Sequence, residues 1–372
     1  MPMNRSFCQD ARDLCVSTQY TIGPPSIPPV SLSLSNPFSL FSIPTSKLAH
    51  PCMHASMSSS PGPSECTSFW QSIRRAAAAV HALGLVLGPL PDSLAFSEDP
   101  ASSLLHDETI ALGITLRLRA PGSSAGGNNL CRWLYDTFQS TVPELQLVVL
   151  KFIPTLVGVY FSRAGSPEPV AGFEAVLLAL YAHETVARAG NPCTIILPSL
   201  TNPSLYHEAK KSTKNKPVDL DIAIFSPVLE PHGTVRSTKR AKIVGVALEL
   251  YYGKIAHMPT SSKLEFVEFC VVWAGQDAKA SKGGRIPLPW ELFQPILRVV
   301  GHCILGLTSS EALKAAATRA ARCLHERAAK DVEPQAILAS RSLLRLGQMV
   351  EEMVWEAALG DGSEAGTPKV HM

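Results

Sequence analysis

The chain has 372 residues, 46% of them hydrophobic and only 17% charged, with a formal net charge of +2. That length is enough for a real core, in two or three domains or one long helical array. The weak, dispersed charge excludes an electrostatic nucleic-acid binder, and nine cysteines without framework spacing fit reduced, buried thiols in a cytosolic protein.

Residues 1–66 are rich in serine and proline, as in GPPSIPPV (Gly23 to Val30) and SSSPGPS (Ser58 to Ser64). Proline removes amide donors and serine competes for backbone bonds, so a disordered arm is expected here. Its first twenty residues carry Arg5, Asp10, Arg12 and Asp13 and no apolar secretory core. A helical domain is expected over 67–359 and a short disordered tail over 360–372.

Order is expected from near Phe69, in a helix with Trp70, Ile73, Ala77, Val80 and Leu87 that Pro89 and Pro91 end. A second helix is predicted over Ser102 to Leu118, and PGSSAGGNN (Pro121 to Asn129) reads as a loop. Thr141 and Glu144 form a capping-box pair ahead of a run in which Leu145, Val148, Val149, Phe152, Leu156 and Tyr160 recur at helical intervals. Pro154 inside that run should kink or split it, and Lys151 with Pro154 argues against a membrane span. Phe173, Val176, Leu177, Leu180 and Tyr181 mark the next helix.

Asn191 to Glu208 holds Pro192, Pro198 and Pro203 and reads as irregular but packed, while VDLDIAI (Val218 to Ile224) alternates like a short extended piece. Helices then follow over Ala241 to Met258, from Ser261 to Gly275, from near Pro289, after a Thr308–Glu311 capping box, and from Pro334. The whole is an all-α fold, an array of about nine helices packed antiparallel, solenoid-like or as an irregular bundle, with little sheet.

Chemistry is sparse. GSSAGG (Gly122 to Gly127) only loosely resembles a serine-nucleophile loop, and SKGGR (Ser281 to Arg285) lacks phosphate-loop spacing. Cys52, His54 and Cys66 lack a fourth ligand and a known zinc spacing. Cys193 with His183 or His207 is a nucleophile–base pair on paper only, and Cys303 sits on an apolar helix face. Asp219 and Asp221 are paired carboxylates with no third group. No catalytic, cofactor or metal set is assigned. Two basic stretches, Lys210, Lys211, Lys214 and Lys216 and then Arg236, Lys239 and Arg240, form a candidate basic surface for anionic lipid or an acidic partner. They lack the interleaved aromatics of a single-strand nucleic-acid binder.

The central strings resemble the hyccin family. Phe152–Ile153–Pro154 matches that family's leucine-rich helix with an internal proline. Glu174 to Tyr181 matches its next helix. Pro198, Ser199, Leu200, Pro203, Ser204, Tyr206, His207 and Glu208 match its PSL…YHE segment, and GRIPLP (Gly284 to Pro289) resembles the approach to a later helix. The resemblance runs from about Leu130 to Leu346. It implies a non-catalytic, all-helical subunit of the phosphatidylinositol 4-kinase type III alpha complex. Such a subunit binds a tetratricopeptide-repeat scaffold and the kinase, and lies in the cytoplasm, recruited to the inner face of the plasma membrane. The residues alone also leave open a divergent helical hydrolase with a Cys or Ser nucleophile, or a peripheral membrane-surface module.

Overall fold

Prolines and capping side chains divide the chain into helices. In a computed structural model, the structure describes residues 63–95, 97–198, 220–275, 286–306 and 309–360. Helix α1 (Pro63–Leu87) begins just ahead of the expected boundary at 67, and a short α2 (Asp92–Ala95) follows the two prolines. The single helix predicted over Ser102 to Leu118 is two, α3 (Pro100–His106) and α4 (Glu108–Arg119). Asp107 divides them. Its backbone is extended, its N–H closes α3 on the Ser103 carbonyl, and its carboxylate accepts the Ile110 N–H at 2.8 Å to open α4. Asn128 caps α5 (Asn129–Gln139) in the same way, through Leu130 and Cys131.

Pro154 splits the long apolar run as expected. Helices α6 (Pro143–Lys151) and α7 (Ile153–Arg163) meet at Phe152 and are bent by 43°. The Thr141–Glu144 capping box does not form. Thr141 has a φ of 61°, Val142 is the N-cap residue, and no side chain caps α6. With Pro143 at the first helical position, one of the orphan amides is absent from the start.

Helix α8 (Ala171–Arg188) leads to a two-stranded antiparallel ribbon, β1 (Cys193–Pro198) and β2 (Leu220–Ser226). The β2 strand falls where alternation predicted an extended piece. Strand β1 corrects the irregular reading of that segment: Thr194, Ile195 and Ile196 are β-branched and pair with a like strand. Helices α9 (Arg240–Gly253), α10 (Thr260–Trp273), α11 (Trp290–Leu305), α12 (Glu311–Asp331) and α13 (Pro334–Gly360) complete the fold. Ser310 caps α12 through the Leu313 N–H; Thr308, the predicted cap, lies outside the described residues. So do residues 1–62 of the arm and 361–372 of the tail.

Among the described residues the regular structure is all helical apart from the ribbon. Helix α7 is its axis, buried on every side from Ile153 to Tyr160 and packed on α4, α9 and α10. On one flank α1, α3, α5 and α6 pack together; on the other, α10 to α13. Helix α9 is wedged between α8 and α11. The α9–α11 crossing depends on two residues: Pro295 has no N–H to give the Glu291 carbonyl one turn back, and Gly245 of α9 approaches that carbonyl so closely that a Cβ would sit 2.7 Å from it. No single described helix is long and apolar enough to cross a membrane; only the bent α6–α7 pair has the length and composition, and its apolar residues are core.

Two stability predictions arise from this packing. Val332 ends α12 in the left-handed region, at φ 56°, with its side chain exposed. A β-branched residue there costs roughly 1–2 kcal/mol that glycine avoids. Val332→Gly is therefore expected to raise the melting temperature by about 2 °C in a calorimetric scan. Burial also pushes the thiols of Cys131 and Cys303 up to about 12 and raises the phenols of Tyr160 and Tyr251. Such groups stay protonated in the folded chain while the unfolded chain ionises, so their contribution is complete below pH ~9 and is lost above it. Burial holds Lys151 and Lys263 below the usual lysine range, which opposes the trend with fewer groups. Denaturant titrations are expected to show stability falling between about pH 9 and 12; a flat profile there would contradict the burial of these thiols.

Candidate interaction surface

Three residues of α8 recur every seven positions, two turns apart on one face: Glu174, Tyr181 and Arg188. Each holds the limb of chain that returns from β2 to α9. Arg188 donates to Ser226 Oγ at 2.7 Å and pairs with Glu249 of α9 at 2.7 Å, braced by Glu184 one turn back. Tyr181 donates its hydroxyl to the Glu230 carbonyl at 3.0 Å. Glu174 accepts from the Tyr160 hydroxyl at 3.1 Å and pairs with Arg240 at 3.2 Å. The limb thus runs antiparallel to α8 and is pinned at Ser226, at Glu230 and at Arg240.

Beneath the ribbon root, Arg298 of α11 is sandwiched between the rings of Phe225 and Tyr252, with Glu249 at 3.5 Å. Two of its nitrogens are buried without a hydrogen-bond partner, and desolvation lowers its pKa. Contact with two aromatic faces offsets part of that desolvation.

Beyond this root the ribbon is apolar and uncovered. The register sets Thr194, Ile196, Ile222 and Ile224 on one face and Ile195, Leu197, Asp221 and Ala223 on the other. Ile196, Ile222 and Ile224 are 64%, 70% and 63% exposed, and Ile195 and Leu197 nearly half. A lone two-stranded ribbon is marginal in water, and clustered exposed aliphatic side chains mark an interaction surface.

The other predicted residues have local roles or lie beyond description. Pro154 is buried in the first turn of α7. Pro198 is the last residue of β1, paired with Leu220. Ser199, Leu200, Pro203, Ser204, Tyr206, His207 and Glu208, and Lys210, Lys211, Lys214 and Lys216, lie outside the described residues, as do Asp219 and SKGGR. Of the second basic stretch, Arg236 is exposed, Lys239 is bound to Glu230, and Arg240 to Glu174.

The loop serines are structural. Arg163 is buried at the end of α7 and donates to Ser123 Oγ at 2.8 Å, Ser124 Oγ at 2.9 Å, and the Arg119 and Ala120 carbonyls at 3.2 and 2.8 Å. Ser123 and Ser124 pass their own protons to the Leu118 and Pro169 carbonyls. Cys193 opens β1 with burial raising its thiol, and His183 lies edge-on to Phe138. Cys52 and His54 fall outside the described residues, as does the side chain of Cys66; among the described residues no group of three or more His, Cys, Asp or Glu is placed to hold a metal.

Arg188 and the exposed isoleucines were not singled out from sequence. The seven-residue spacing of Glu174, Tyr181 and Arg188 was the available signal for the first, and the alternation of Ile222 and Ile224 for the second. Against models of known families, residues 95–351 match Hyccin.

Proposed function

As this chain belongs to the hyccin family, we propose that it is a non-catalytic scaffold or stabilising subunit of a plasma-membrane phosphatidylinositol 4-kinase complex. In this reading it binds a tetratricopeptide-repeat partner, supports phosphatidylinositol 4-phosphate synthesis by the kinase, and works in the cytoplasm at the inner face of the plasma membrane. The observation that carries the reading is the family match across the helical domain. The ribbon supplies an exposed apolar element whose root is tied to α8 by Arg188, which suits such a subunit. Helical-repeat scaffolds present extended concave surfaces suited to such an element. The arginine and carbonyl partners of Ser123 and Ser124 assign those hydroxyls to the loop's architecture and lend nothing to a hydrolase.

Affinity purification of the full chain from native cells, followed by subunit identification, tests the proposal. Recovery of a tetratricopeptide-repeat protein together with a phosphatidylinositol 4-kinase is expected. Recovery of neither would sink it.

A further inference from the structure

Helices α7 and α10 enclose a second feature, remote in sequence from the ribbon. An open cleft of about 610 Å³ lies between them. Gly158 lets the two helices approach closely at its floor: the ring of Phe269 occupies the space that a Cβ would fill. Phe269 in turn stacks on Trp273, with ring centroids 5.9 Å apart and 17° between planes. Val159 and Val272 add apolar wall. The volume falls in the range of ligand clefts and leaves ample room for one long side chain.

The charges at its mouth decide what fits. Arg163 has no capacity left for an anion. Its five N–H groups are matched by Glu168 at 3.1 Å, the two loop serines, and the two carbonyls. Arg119 is bound to Glu265 at 2.8 Å and lies over the Phe269 ring. Three carboxylates thus face two committed guanidinium groups, and Glu268, exposed at the mouth, has no ion-pair partner among the described residues. The unspent charge is negative and stands above an apolar floor. A long cationic side chain, with its methylene stem on the aromatic floor and its head at the carboxylates, complements both.

We propose that this cleft receives a lysine or arginine side chain carried on an otherwise apolar segment of a protein partner. The inference rests on the reading of the chain as a complex subunit and adds a second, charge-selective contact to the apolar ribbon.

The test labels carboxylates with carbodiimide and glycinamide, with mass spectrometry of the full chain, alone and in the complex purified from native cells. Glu268 is expected to be modified in the isolated chain and protected in the complex. Glu268→Arg is expected to weaken capture of the partner about tenfold, as loss of a complementary interfacial charge does, with an unchanged melting curve. Equal labelling in both states overturns the inference while leaving the subunit reading intact. Glu268 already blocked in the isolated chain also overturns it, since the chain would then fill its own cleft. Failure of the wild-type chain to capture any partner defeats both.

Discussion

Arg163→Ala is expected to be the most destabilising single substitution in the loop-and-axis region, costing about 3–5 kcal/mol in a denaturant titration. The guanidinium ties α7 to the end of α4 and to the turn that precedes α5. Removing it leaves two carbonyls and two hydroxyls short of a donor in a buried site, the costly way to break a polar network. Arg163→Lys is expected to recover little, because an ammonium offers three donors from one point whereas the site uses five from a planar fork. Full recovery by lysine would show that charge alone matters here, contrary to the geometry.

The largest functional effect is expected from the ribbon. Ile196→Asp combined with Ile222→Asp places two charges on one face of an exposed element. Both side chains already stand in water, so each change alone should alter folding stability by only about 0.5 kcal/mol, with a further few tenths from the repulsion of two charges paired across the ribbon. If the ribbon is the apolar anchor for a partner, the double variant loses about 2 kcal/mol or more of binding, roughly thirtyfold in affinity. Quantitative capture of the partner, beside a thermal melt of the same preparation, separates the two effects. Unchanged capture with an unchanged melt would remove the ribbon from the interface.

Much of this was readable from the residues because the relevant forces are local. The periodic apolar faces of α6 to α8 and α10 to α13, the stop at Pro89, and the division at Pro154 each depend on neighbours within a turn or two. What sequence reading missed was set by contacts between distant segments. Asp107 divides a helix that periodicity alone joins. The Thr141–Glu144 pair has the right spacing, but Thr141 sits at positive φ and its hydroxyl accepts from Arg75 of α1 at 3.4 Å. Cys193 to Pro198 is apolar and bracketed by Pro192 and Pro198, and only pairing with β2 turns it into a strand. The resemblance of Glu174 and Tyr181 to a family pattern identified positions without explaining them. Their explanation is tertiary: each binds a chain segment far along the sequence.

The seven-residue spacing along α8 makes that helix a ruler. From Glu174 to Arg188 the axis advances about 21 Å, and the limb from Ser226 to Arg240 is cut to match, fastened at both ends and between. Inserting one residue between Tyr181 and Arg188 would turn the guanidinium by about 100° and advance it by about 1.5 Å, away from Ser226 and Glu249 together. Length is therefore fixed on both sides of this seam. Loss or gain of residues is tolerable only where no pin spans the change, so variation in chain length should collect between the far ends of β1 and β2 and be absent from the stretch of α8 that holds them.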